Sequence, residues 1–271
     1  MTTHVIDTAT ASGMFTDHGA HVLQWRPRGT EPVVWLSDLA VFADAVAIRG
    51  GVPICFPWFG AGRSGGMTPA HGFARISEWR LNSMDDDGSA ATAVFTLSST
   101  DVTSPLFPYR YRATMTARFG ADLHLALDVH NDDDVPFTYE AALHTYLHVG
   151  DATAVQVEGL TGDTFHDKVT DEETVQSGPI VIDREIDRVY RSTRDVHVVD
   201  PALDRTLTVR KGGSASTVVW NPWIDKARAM TDFGDDEWRS MVCIETANVG
   251  VDAVELAPGR SHTMWARIEV E

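Results

Sequence analysis

Between Asp122 and Asn131 the chain reads DLHLALDVHN, which puts Leu123, Leu125, Leu127 and Val129 on one face and His124, Asp128 and His130 on the other. A period of two is the signature of a strand with one buried face, so the leucines are expected inside and the two histidines on the solvent side. The same alternation predicts strands over 91–99, 111–119, 154–160, 205–211, 216–223 and 264–270, and no stretch holds a long helical period. Clusters rich in Gly, Pro and Asp, such as DDDG at 85–88, NDDDVP at 131–136 and SGP at 177–179, separate these runs as turns. There is no linker composition and no repeat at fixed period, so the pattern predicts an all-β sandwich of antiparallel strands formed by one domain, residues 1–271.

Composition narrows the class. With 271 residues, 43% of them hydrophobic, the chain can bury a large core. Its two cysteines, Cys55 and Cys243, and its polar start MTTHVIDTATASG predict a cytoplasmic protein with reduced thiols. No apolar run approaches the roughly 20 residues of a membrane helix, and a net charge of -17 repels both nucleic acid and anionic lipid. Neither is expected as a partner, and a monomer acting on a small molecule is. The surplus acid also has a plain role in keeping a soluble protein dispersed.

Chemistry concentrates where the strand rhythm breaks. In IRGGVPICFPWFG at 48–60, glycines and prolines prevent regular pairing. Its aromatics Phe56, Trp58 and Phe59 either plug one end of the sandwich, the preferred reading, or stack on a sugar ring. Arg49 opens this loop and PAHGFAR at 69–75 adds His71 and Arg75, two guanidinium forks suited to a phosphate. ALHTYLH at 142–148 and CIETANVG at 243–250 supply His144 and Glu245 on strand-like segments distant in sequence. A histidine after Ala141, Ala142 and Leu143 would by itself read as a satisfied core residue, whereas a carboxylate after Met241, Val242, Cys243 and Ile244 is costly unless paired or used. One imidazole and one carboxylate suit the opening of a sugar hemiacetal without a metal. The acidic turn DFGDDEW at 232–238 lacks the histidine or cysteine partners of a zinc site and reads as solvated, with an oxygen-only cation site as the alternative. No GxSxG elbow is present.

Taken together, RGGVPICFPWFG, HGFAR, AALHTYLHVGD at 141–151, EIDRVY at 185–190, VVWNPW at 218–223, DFGDDEW and ELAPG at 255–259 resemble the hexose-6-phosphate mutarotase branch of the aldose 1-epimerase family. The resemblance implies a galactose-mutarotase-like β-supersandwich, no cofactor, no metal, and a phosphosugar lying in a groove across one sheet. It assigns general acid to His144 and general base to Glu245, with substrate contacts at Arg49, Arg75 and Asp187. On electrostatic grounds a carboxylate such as Asp187 near the histidine is expected to raise its pKa, with Glu245 ionised and His144 protonated. His71 is implied in ring-oxygen recognition, with a structural hydrogen bond as the alternative, and Ala70 stands where the family usually has a substrate-touching glutamine. The alternatives are a mutarotase for free aldoses, a non-catalytic carbohydrate-binding module, and a glycosidase using Glu245 with Asp187 while the histidine stays idle.

Overall fold

The alternating runs become strands of two large antiparallel sheets in the structure, a computed structural model that describes residues 1–102 and 104–271. One sheet follows the spatial order Ile180–Val181, Gln156–Glu158, Val196–Asp200, Arg205–Gly212, Ser261–Val270, Leu123–Asn131, Tyr111–Phe119, Ala91–Ser98 and Arg80–Asp86. The other runs Glu172–Val175, Thr164–Asp167, Ile186–Arg191, Ser216–Asn221, Met241–Asn248, Ala141–Leu143 and Ile54–Cys55, with Tyr146–His148 also paired to Met241–Asn248. Leu123, Leu125, Leu127 and Val129 of the first sheet share one core with Ile186, Tyr190, Val219, Val242 and Ile244 of the second, so the sheets pack face to face. Thr3–Asp7, Ala11–Thr16 and His21–Pro27 form a further small sheet, and Phe137–Tyr139 pairs with Val254–Leu256.

Met241–Asn248 is buried at every position, so both faces of this inner strand are covered and its apolar start, Met241 to Ile244, does not alternate. Val242 and Ile244 point into the main core, while Cys243, Glu245 and Ala247 share the opposite face. Register carries that outer face across the sheet: Asp187 pairs with Trp220, Trp220 with Cys243, Val218 with Glu245, and Cys243 with Tyr146. Glu245 therefore sits in mid-strand.

Four expectations change. The strand predicted over 216–223 stops at Asn221, because Pro222 cannot donate to the ladder, and Trp223–Ala229 forms a short α-helix. Within 154–160 only Gln156–Glu158 pairs. In the loop 48–60, Ile54–Cys55 does pair, as the edge strand against Ala141–Leu143. His144 is not in a strand: it occupies the break between Ala141–Leu143 and Tyr146–His148, where its N–H donates to the Pro53 carbonyl.

Candidate active site

Outside the main core, the second sheet bears a cavity of about 370 Å³ whose lining includes Arg49, His71, Arg75, His144, Asp187 and Glu245. All six residues singled out from the sequence thus meet in one groove. The lining also holds Phe59 and Ala70, both weighed from the sequence, and Lys168, Trp220, Lys226 and Met230, to which sequence reasoning gave no role. Lys168, just beyond a strand, and Lys226, in the short helix Trp223–Ala229, escaped it because neither lies in a recognisable motif, and such a lysine reads as solvated surface. A larger hollow of about 700 Å³ lies between the small sheet and the segment from Pro32 to Leu36. It has no comparable acid/base pair: its Glu237 is already engaged by the Ser37 hydroxyl and by the backbone N–H groups of Asp38 and Gly234.

His144 and Glu245 face each other, with Nε2 3.3 Å from Oε1. They are 8% and 1% exposed, so each is desolvated and available only to something entering the groove. His144 Nδ1 and Glu245 Oε2 have no hydrogen-bond partner among the described residues. Buried polar atoms are rarely left so, and catalytic groups are a recognised exception. Burial, then His71 and the Arg75 and Arg49 guanidinium groups, push the imidazole well below its usual range. Burial, then the Asp187 carboxylate, push Glu245 well above the carboxylate range. Both shifts favour the neutral forms of the pair, an uncharged imidazole facing a protonated carboxyl group. Sequence reasoning expects an ionised Glu245 and an imidazolium raised by Asp187. In the structure Asp187 acts on the neighbouring carboxylate, and at the imidazole burial dominates, followed by His71 and the two guanidinium groups.

His71 is placed by the turn that follows the FPWFG loop. It has φ +64°, and Gly72, at φ +76°, comes so close to the Phe56 carbonyl that a Cβ there would lie 2.0 Å from the oxygen. The Gly60 N–H donates to His71 Nδ1 at 3.3 Å, which leaves the proton of the neutral ring on Nε2, and Nδ1 also lies 3.4 Å from the Cys55 sulfur. Burial, then the charges of Arg75, Lys168 and Arg49, lower its pKa to about 3. The Nδ1 atom of His71 thus accepts the structural hydrogen bond, and the ring lines the groove.

The cations differ in how far they are committed. Arg49 Nε donates to Asp232 Oδ2 at 3.3 Å and its Nη1 to the Tyr146 hydroxyl at 3.1 Å. Lys168 Nζ donates to Asp187 Oδ2 at 3.2 Å, and Lys226 Nζ to Glu185 Oε1 at 2.6 Å. Arg75 Nη2 donates only to the Ala70 carbonyl, and its buried Nε has no partner among the described residues. Four cations against Asp187, Asp232 and Glu185, beside a neutral acid/base pair, leave a local surplus of positive charge in a molecule of net charge -17.

The remaining sequence readings also find their places. Phe56 and Trp58 plug the core among Phe73, Phe107, Tyr111 and Tyr139, whereas Phe59 lines the groove, where Lys168 lies 5.4 Å from its ring centre. Among the described residues no group of three or more His, Cys, Asp or Glu side chains could hold a metal ion. In the acidic turn, Asp232 is spent on Arg49. No helix is long and apolar enough to cross a membrane.

Comparison with known proteins sets this geometry in context. The aldose 1-epimerase family profile matches residues 3–269. A proposed glucose-6-phosphate 1-epimerase of Escherichia coli (strain K12) is 39% identical over 246 residues, 90% of this chain and 82% of that protein. The crystal structure of a proposed mutarotase from Salmonella typhimurium superposes with a TM-score of 0.92 at 33% identity, over 99% of this chain and 90% of that one. A galactose mutarotase-like protein from Lactobacillus casei shares the fold, with a TM-score of 0.77 at 14% identity over the whole of both chains.

Proposed function

The chain belongs to the aldose 1-epimerase family, and from that premise we propose that it interconverts the α and β anomers of a hexose 6-phosphate, glucose 6-phosphate above all. The observation that carries this reading is the coexistence, in one 370 Å³ cavity, of a facing imidazole and carboxylate with a guanidinium, that of Arg75, which has no acidic partner among the described residues and whose Nε is unbonded. The similarity to the Escherichia coli protein supports the choice of sugar.

Ring opening needs one group to take the proton of the anomeric hydroxyl and another to give a proton to the ring oxygen as the bond between that oxygen and the anomeric carbon breaks. The pair holds the required single proton. The phosphate dianion, bound at Arg75 and Arg49, offsets the two guanidinium charges that depress His144, so the proton moves from Glu245 to the imidazole. Glu245 then receives the hydroxyl proton while His144 delivers its own to the ring oxygen. Rotation about the bond to the neighbouring carbon turns the aldehyde over, and the reverse transfers close the ring. His71, as a neutral donor, and Asp187, as a carboxylate, hold sugar oxygens in this scheme. Ala70 leaves room on that side of the groove, and one fewer side-chain contact to the sugar.

The test is anomer exchange followed by NMR on glucose 6-phosphate, glucose and galactose. Exchange of the phosphosugar with the higher kcat/KM is the expected result. Equal or better exchange of the free sugars would assign the protein to free aldoses, and no exchange of any of them would leave the groove a binding site. A glycosidase reading gains nothing from the geometry, because it gives the imidazole facing Glu245 no part.

A further inference from the structure

We propose that Tyr146 is a positioning residue, which ties the substrate-binding guanidinium of Arg49 to the imidazole of His144 so that phosphate binding and proton transfer share one rigid support. The proposal rests on the phosphosugar reading for the role of Arg49.

Tyr146 is 2% exposed and touches both halves of the chemistry. Its hydroxyl accepts from Arg49 Nη1 at 3.1 Å. Its ring lies on that of His144 with centroids 4.8 Å apart and planes 13° from parallel. On its other side Trp35 is stacked at 5.7 Å and 19°, and the Trp35 indole N–H donates to the Ser240 hydroxyl at 2.9 Å. Trp220 meets both Tyr146 and His144 edge-on, with centroids 5.9 Å away in each case. Three near-parallel rings thus form a column, with the imidazole at its end.

The backbone holds that column at the same point. Tyr146 N–H donates to the Gly51 carbonyl, Trp35 N–H to the Tyr146 carbonyl, and Gly51 N–H to the Trp35 carbonyl. The Arg49 loop, the ring column and the break that bears His144 are therefore one hydrogen-bonded unit. A tyrosine serving only as core filler would need some partner for its buried hydroxyl. That this partner is the guanidinium, itself held by Asp232, gives the hydroxyl a task beyond filling space.

Two substitutions separate the hydroxyl from the ring. Tyr146→Phe keeps the stack and frees one arm of Arg49. KM for glucose 6-phosphate should rise roughly tenfold, the scale of a lost hydrogen bond to a charged group, with a much smaller change in kcat. Tyr146→Leu removes the stack as well, and kcat should then fall. Water reaching the imidazole relieves part of its desolvation, so the acid limb of the pH profile should move upward toward the ordinary histidine value. The groups facing His144 through this change are His71 and Arg75 from the 69–76 turn, Arg49 from its loop and Glu245 from the neighbouring strand.

Both variants would be compared with the parent on glucose 6-phosphate and on glucose, with circular dichroism to establish folding. The proposal is overturned if folded Tyr146→Phe keeps the parent KM, or if the variants change thermal stability alone and leave KM, kcat and pH profile in place. A parent that turns over glucose as readily as its 6-phosphate would defeat the phosphosugar reading instead. The ring arm of the proposal would then be decided by kcat and the acid limb measured on glucose.

Discussion

At the scale of single residues, the proposed mechanism rests on one proton held between two buried groups. Glu245→Gln and His144→Ala should each lower anomer exchange by roughly two or more orders of magnitude, the contribution expected of a general acid or base, while circular dichroism stays that of the parent. Exchange at the parent rate in either folded variant would remove that residue from the mechanism. The opposed directions of the two pKa values also set the pH dependence. His144 is depressed, so the second proton binds only below the ordinary imidazole value of 6.5. Glu245 is raised, so the last proton leaves only well above the ordinary carboxylate value of 4.5. In the proposed mechanism the one-proton form is the competent one, which predicts a kcat/KM plateau with its acid limb below pH 6.5 and an alkaline limb where Glu245 loses its proton. The substrate's phosphate ionises near pH 6 on its own account, so the profile should be taken with glucose as well, and a sharp optimum on both sugars would contradict the neutral resting pair.

At the scale of elements, the groove depends on where the strands stop. Asn221 ends one strand, and its buried Nδ2 donates to the carbonyls of Trp238 and Met241 at 2.8 Å each while its Oδ1 accepts from the Trp223 N–H. It thereby joins the end of Ser216–Asn221, the start of the helix carrying Lys226, and the start of the strand carrying Glu245. Asn221→Ala would leave two carbonyls without their donor, and urea unfolding should show a loss of about 1–3 kcal/mol. An unchanged denaturation midpoint would mean that water or backbone shifts replace these bonds at no cost. The sequence marked this junction only indirectly. Pro222 is a visible strand breaker, but the predicted strand over 216–223 ran through it because the apolar pattern continues to Trp223. His144 shows the same limit: ALHTYLH reads as one strand, and only pairing with two different stretches of Met241–Asn248 shows that it is two, with the histidine in the gap.

At the scale of the whole molecule, a groove with a local surplus of positive charge is set in a protein of net charge -17. The Debye length is about 10 Å at 0.1 M salt, so at that concentration a phosphate in the groove responds mainly to the cations beside it. Raising salt from about 0.1 M toward 1 M should increase KM for glucose 6-phosphate and leave glucose nearly unaffected. Arg75→Ala should weaken phosphosugar binding by roughly ten- to a hundredfold and flatten the salt dependence, and an equal loss on both sugars would show that Arg75 holds the ring or the groove wall instead. The sequence alone determined the class of the fold, because period-two burial is local: DLHLALDVHN has one strand geometry that hides its leucines, wherever the strand lies. It also determined which residue types were available for chemistry, and six candidates from five separate segments proved to share one cavity. Tertiary structure decided what no local pattern encodes. Register across the sheet selected the outer face for Glu245 and Asp187, a turn and a short helix brought Lys168 and Lys226 to the same groove, and burial shifts both members of the acid/base pair toward their neutral forms, against the expected charges. Protonation depends on the solvent excluded and the charges gathered by distant segments, so the residues can be named from the sequence, but their charge states follow only from the fold.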